Sequence, residues 1–200
     1  MSSPTDAGDT ESDETSAALV LDYLPHGRAD DDRPQYQKSS IAYAMDIESF
    51  GLYELSLTDD ADLSIGDELQ IDPEPDPEIV DRYRLVEYDD LSGGAKSELE
   101  YAVADIIDDD ERRFVDFYND AQPITLRLHQ LNLLPGIGKK LRNGILDERK
   151  RGPFESFEDL TDRISGLHSP KETIKERILE ELREDDLKYR AFVRPGEPRS

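Results

Sequence analysis

Leu134-Pro135-Gly136-Ile137-Gly138-Lys139-Lys140 is the stretch that decides how this chain is read. It lies between two segments of helical periodicity. Two glycines flanking one apolar residue allow a tight turn that ordinary side chains would obstruct. Ile137 can plug that turn into the space between the helices. Gly138 then opens the second helix, whose first amides lack intrahelical partners. Those amides, with the positive end of the helix dipole, suit a phosphate. Lys139 and Lys140 add charge at the same place. Contacts of this kind hold a sugar-phosphate backbone and do not read base sequence.

The charge around this motif runs against the rest of the chain. The 200 residues carry a formal net charge of -24. Over residues 124–153 the positives are Arg127, Lys139, Lys140, Arg142, Arg149, Lys150 and Arg151, against Asp147 and Glu148. Seven against two leaves +5 on 30 residues, so the other 170 carry -29. Acid spread along a chain with only 8 Lys among its 24 cations reads as adaptation to very high salt. A basic partner is the other explanation for the acidity. At molar salt the Debye length is about 3 Å, so self-repulsion is largely screened. A surface shaped by salt alone would stay acidic at the motif too, so the local reversal points to a polyanion.

Other chemistries find little support. There is no Cys, hence no disulfide and no thiolate metal site. His26, His129 and His168 lack metal-ligand spacing. No GxGxxG, P-loop or GxSxG occurs. His129 reads as a helix-packing residue. Asp159 and Asp162 read as capping and packing, and Asp108-Asp109-Asp110 as solvated surface. The expectation is a non-catalytic protein with no cofactor and no metal. No apolar run approaches the roughly 18 residues that span a membrane. The first 16 residues offer neither a basic nor an apolar signal region, so a cytoplasmic location is expected.

Periodicity divides the chain near residue 91. Residues 1–16 read as a disordered acidic tail. Strand-like runs follow at 18–24, 41–47, 50–57, 63–71 and 79–88, with a long polar loop at 25–39. Five short strands in residues 17–91 suggest a small, OB-like β-barrel, or a plain antiparallel sheet of another topology. From Ser92 the period turns helical. Helices are expected at 95–107, 111–118, 124–134, 139–150 and 156–164, and a last one after Ser169-Pro170. The class is therefore α+β: a β domain, a helical domain over 92–194, and a tail at 195–200. A second binding surface is conceivable on the long loop, where His26, Arg28, Arg33, Tyr36 and Lys38 combine cations with an aromatic. Tyr23 and Tyr43 flank it. Asp30, Asp31 and Asp32 cancel much of that charge, and the tyrosines also read as barrel residues.

Residues 134–160, through Gly138, Ile145, Arg149 and Gly152-Pro153-Phe154-Glu155-Ser156-Phe157-Glu158-Asp159-Leu160, resemble helix-hairpin-helix proteins of the DNA-uptake receptor type. Those proteins usually carry a small Ala four residues after the second glycine, where this chain has Arg142. The difference implies either looser helix packing or an added phosphate contact. Residues 18–193 resemble one archaeal family, the domain-of-unknown-function family 655, often labelled RNA-binding. Leu21-Asp22-Tyr23-Leu24-Pro25-His26-Gly27-Arg28, Tyr88-Asp89-Asp90-Leu91 and Pro123-Ile124-Thr125-Leu126-Arg127-Leu128-His129 carry that likeness. The resemblance implies an OB-like domain joined to a helix-hairpin-helix domain, and through it alone RNA is favoured over DNA. The expected partner is nucleic acid. The amides of Gly136, Ile137 and Gly138 would hold phosphates, assisted by Lys139, Lys140 and Arg142, with Arg149, Lys150 and Arg151 extending the track. The competing reading is an adaptor for ribosomal or translation proteins, in which the Gly-Ile-Gly turn only packs two helices.

Overall fold

The computed structural model describes residues 16–71 and 74–194. Of the expected N-terminal tail only Ser16 falls within them, its hydroxyl donating to Asp46. The expected tail at 195–200 lies outside them.

The strands are β1 (Ala17–Leu24), β2 (Ile41–Asp46), β3 (Leu52–Leu57), β4 (Glu68–Gln70) and β5 (Val80–Val86). They pair antiparallel in the order β4-β1-β2-β3-β5. The five-strand expectation holds, but the sheet is a curled half-barrel rather than a closed one. Among the described residues its edge strands β4 and β5 do not pair. β4 has only three residues, and the connection after it contains Pro75 and Pro77, which have no amide to donate to a ladder.

Each face of the sheet is covered. Inside the curl, Ala18, Val20, Ala42, Ala44, Leu55 and Leu57 pack with Leu63, Leu69, Ile71 and Val80. The alanines let the curl close tightly. The outer face presents Leu21, Ile41, Tyr43, Met45 and Leu52 to the helices. Central strand β2 is buried along its whole length, as both faces require.

The helices are α1 (Gly93–Asp109), α2 (Glu111–Asp120), α3 (Lys139–Arg149), α4 (Phe157–Arg163) and α5 (Pro170–Arg183). Leu99, Val103, Ile106 and Ile107 of α1 lie on the sheet's outer face, in one core with Phe114, Leu131, Ile145, Leu160 and Ile178. The outer face of the sheet and the helical half therefore share one apolar core, while the inner face of the sheet has its own.

A register shift in β1 between Val20 and Asp22 fixes how the halves meet. The bulge turns Leu21 and Asp22 toward the same side. Asp22 Oδ2 accepts the Ser92 hydroxyl at 2.5 Å, and Ser92 Oγ in turn caps α1 by accepting the Ala95 amide at 3.1 Å. A carboxylate thus sits against the positive end of a 17-residue helix. Gly94 makes room for it, since a Cβ there would stand 2.6 Å from Asp22 Oδ2.

The helix expected at 124–134 does not form. Only a 3-10 turn, Gln130–Leu133, is helical there. Side chains take the amides that a helix would use. Thr125 Oγ1 accepts from Arg127 N at 3.3 Å and Leu128 N at 3.0 Å. His129 Nδ1 accepts from Leu131 N at 3.1 Å, and Asn132 Oδ1 from His129 N at 3.2 Å. The leucines supplied the apolar content of a helix without a consistent helical stripe.

The C-terminal segment is strapped down by a buried carboxylate. Glu181 accepts the amides of Ala191, Phe192 and Val193 at 2.6, 2.9 and 2.8 Å, and Arg177 Nε at 2.8 Å. Phe192 then packs on Phe117 at 4.8 Å between ring centroids.

Gly94→Ala should destabilise the fold by about 1–3 kcal/mol, through overpacking against Asp22. Asp22→Ala should also destabilise, by removing the acceptor for Ser92. The double variant should fall clearly short of the sum, because the clash partner is gone. Urea titrations of the three variants check this, and additive losses would contradict the close approach.

Candidate nucleic-acid interface

Leu134, Pro135, Gly136 and Ile137 form a β-turn, closed by the Ile137 amide donating to Leu134 O at 3.2 Å. Pro135 fills its second position, and Gly136 its third with φ +77°. This is the type II pattern, in which the third residue must adopt positive φ. Leu134 and Ile137 are both buried, so Ile137 is the plug that the sequence implied.

Gly138 is the N-cap of α3 and makes no side-chain cap. The first helical bond runs from Arg142 N to Gly138 O at 3.0 Å. The amides of Gly138, Lys139, Lys140 and Leu141 donate to no group among the described residues. Gly138 has φ -86° and ψ -169°, which any residue can adopt, and a Cβ there would meet nothing within 4 Å. Neither backbone conformation nor internal packing calls for glycine at this position. Lys139 and Lys140 are exposed and form no ion pair among the described residues.

The arginines of the expected track divide by role. Arg142 Nη1 donates to Asn132 Oδ1 at 3.1 Å, and Asn132 Nδ2 donates to Ile137 O at 3.2 Å. Arg142 thus braces the turn where the helix-hairpin-helix pattern would place a small residue. Arg149 is turned inward as well. Its Nη1 donates to Tyr118 O at 3.2 Å and Ala121 O at 3.0 Å, closing the C-terminus of α2. It is a brace and not part of an exposed track. Lys150 and Arg151 stay exposed and pair within their own helix turn, with Asp147 at 3.5 Å and Glu148 at 3.0 Å.

Arg163 plays a part that sequence reading missed. Its Nη2 donates to Glu148 O and Gly152 O, both at 2.8 Å, while its guanidinium lies 4.4 Å from the centre of the Phe154 ring. It closes the C-terminus of α3 and so fixes where the basic end lies. Asp159, four residues before Arg163, pairs with it at 3.1 Å and accepts the Glu155 amide at 3.1 Å. That i,i+4 spacing was the one clue in the sequence. The cap of α4 is Ser156, with Asp159 accepting the amide just before it, while Asp162, read with Asp159 as capping or packing, is exposed. The flank of the hairpin meets α5 in a shallow groove where Arg177 and Glu180 join Pro135, Gly136 and Gly138. Arg177 there is already held by Glu180 and Glu181 at 2.9 and 2.8 Å.

His129 is buried beside α3, and its imidazole is pushed below the usual histidine range by burial, with Arg149 and Arg142 adding repulsion. It is a packed residue, as read, although it stands in a cap and not on a helix.

The second surface is not a groove of free cations. Arg28 Nε donates to Glu54 Oε2 at 2.8 Å, Arg84 reaches Glu54 Oε1 at 3.1 Å, and Tyr43, itself buried, donates to Glu54 at 3.1 Å. Arg33 is bound to Asp31 at 2.7 Å, and its hydrogen bond holds that carboxyl down at about 2. Tyr36 is exposed, Lys38 half-buried, and Asp30 and Asp31 line the same cleft as Arg28 and Arg33. Of the loop acids Asp31 neutralises Arg33, whereas Arg28 is taken by Glu54 of β3, a partner the sequence reading did not name.

Among the described residues no group of three His, Cys, Asp or Glu side chains could hold a metal ion, and no helix is long and apolar enough to cross a membrane.

The architecture is that of an α+β protein in which a curled antiparallel sheet precedes a helical half bearing an open hairpin. The family model described as "Protein of unknown function (DUF655)" matches residues 14–194, and the chain belongs to that family. It is 38% identical over 178 residues to the uncharacterized protein MJ0038 of Methanocaldococcus jannaschii, covering 88% of this chain and 79% of that protein. The crystal structure of Af1531 from Archaeoglobus fulgidus, of the same family, superposes with a TM-score of 0.79 at 39% identity, covering 90% of this chain and 99% of that one.

Two outcomes test these roles. Arg149→Ala should cost about 1.5–3 kcal/mol, the range for charged hydrogen bonds to partly buried partners. Arg151→Ala, at an exposed pair, should stay within about 0.5 kcal/mol. Equal losses in chemical denaturation would contradict the division. For His129, a folded-state pKa below the free value means that protonation opposes folding. Its contribution should be complete above about pH 6.5 and fall as the pH drops below that value. His129→Asn keeps a capping acceptor and removes the titration. Its stability relative to wild type should therefore rise between about pH 7.5 and about pH 5.5, and a constant difference would contradict the assignment.

Proposed function

We propose that this protein binds nucleic acid by gripping the sugar-phosphate backbone at the 134–140 hairpin, which acts as a helix-hairpin-helix element with a 3-10 turn in place of its first helix. The observation that carries the reading is Gly138. It caps an 11-residue helix, whose first four amides from Gly138 on have no acceptor among the described residues, and is a glycine for which the interior has no use. A phosphodiester approaching those amides does require the absence of a side chain. Lys139 and Lys140 stand on the first turn and leave their charge to a ligand. The turn is rigid, because Ile137 is buried and its carbonyl is tied through Asn132 to Arg142. A prearranged anion site needs that rigidity.

The reading reduces the track to a compact patch. Gly136, Ile137 and Gly138 shape it, Lys139 and Lys140 charge it, and Lys150 and Arg151 lie at the far end of α3. Backbone contacts make no test of the 2′-hydroxyl. RNA, favoured through the family resemblance, is therefore to be compared with DNA directly.

Gly138→Asp separates the binding reading from the packing reading. Asp is at least as good an N-cap as Gly and fits the φ and ψ found there. Thermal stability should hold or rise slightly. The new carboxylate takes the amides itself and repels phosphate, so binding to mixed-sequence RNA and DNA oligonucleotides should fall at least tenfold. In the wild type that binding should weaken with salt on a log-log line. If the folded variant binds as the wild type does, or the wild type shows no salt-dependent binding, the hairpin is structural and the adaptor reading replaces this one.

A further inference from the structure

Residues 122–130 form a finger braced at every level. Gln122 and Gln130 are joined twice, Gln130 N to Gln122 O at 2.9 Å and Gln122 N to Gln130 Oε1 at 2.7 Å. Pro123 and His129 form a bridge above them. Ile124 N and Thr125 N both donate to Leu128 O, at 2.8 and 3.0 Å, and Thr125 Oγ1 takes the amides of Arg127 and Leu128. This bonding holds out Leu126 with its full surface in water, at 107% relative exposure. Single exposed apolar residues on loose loops need no explanation. A tip braced in this way spends its order on keeping a leucine in solvent.

The finger and the phosphate site are carried by one helix. Arg149 holds the carbonyl of Ala121 just before the finger, and Arg142 holds Asn132 just after it. The two arginines are seven residues apart, two turns along one face of α3, or about 10 Å. Beside Leu126 stands Arg127, exposed and without an ion pair among the described residues. A leucine next to a free cation, within the net positive residues 124–153, fits the base face and phosphate of a nucleic acid better than a basic or neutral protein surface.

We infer that Leu126 is a wedge, entering the base stack of the nucleic acid held at the hairpin, and that the preferred ligand is a duplex with an unpaired base. This inference rests on the reading given above. Burying one leucine side chain is worth roughly ten- to a hundredfold in affinity. Opening an intact stacked step consumes that gain, whereas a bulged base is already open. A single leucine therefore selects a weakened step. Arg127 secures the adjoining phosphate.

The test uses full-length protein and two synthetic RNA hairpins that differ by one bulged 2-aminopurine. Wild type should prefer the bulged probe by about tenfold or more and change its fluorescence on binding. Leu126→Ala, at a fully exposed position, should melt as the wild type does. It should bind both probes with the affinity the wild type has for the paired one, without the fluorescence change. If wild type shows no preference, or Leu126→Ala keeps it, the wedge is overturned. Gly138→Asp judges the hairpin separately and should lose both probes. Should wild type bind neither probe even at low salt, both readings fall, and the finger becomes a protein-docking element.

Discussion

The fold depends on one carboxylate placed against one helix end. α1 packs against β1 on the outer face of the sheet, and Asp22 joins the two. The bulge in β1 aims Asp22, Ser92 joins it to the α1 cap, and the missing side chain at Gly94 lets the two approach. From α1 the interior continues through Phe114 of α2 to Ile145 of α3 and Ile178 of α5. The position of the hairpin relative to the sheet is thus tied to the contact of Asp22 with Ser92, both well upstream of it in sequence.

The cations of this acidic chain are used in two ways. Arg113 donates to Ile47 O at 3.0 Å and lies 4.9 Å from the centre of the Phe114 ring. Arg149, Arg163 and Arg177 likewise close carbonyls at helix ends or in the C-terminal strap. The planar guanidinium, with five donors, suits this work, and a lysine ammonium cannot reach two or three carbonyls in fixed directions. A chain with 16 Arg and 8 Lys therefore spends much of its positive charge on internal bracing. The +5 of the hairpin region overstates the charge available to a ligand, because Arg142 and Arg149 are engaged. What remains free at the motif is Lys139 and Lys140, beside the open amides.

Much of the architecture was legible because it follows from local rules. The strand runs show alternating or buried patterns, Ser92 and Ser169-Pro170 mark helix starts, and Gly136-Ile137-Gly138 marks a tight turn. The failures have physical causes. The segment at 124–134 carries enough leucine for a helix, but Thr125, His129 and Asn132 offer its amides closer partners, and Pro123 bars a helix continuing from α2. The open sheet could not be told from a closed barrel, since pairing between β4 and β5 depends on edge length and curl. Asp22 lay in plain view, yet its partner is 70 residues away.

The sequence by itself determined the α+β class, the succession of strands and of most of the helices along the chain, the tight turn with its apolar plug, and the reversal of charge around it. Each is set by the periodicity, steric freedom or charge of neighbouring residues. Only the tertiary structure decided which charges are free, that Gly138 faces open space, and that residues 124–128 stand out as a braced tip. Those properties belong to contacts between distant segments. A guanidinium is a ligand site or a brace according to which carbonyls the rest of the chain brings within 3 Å of it.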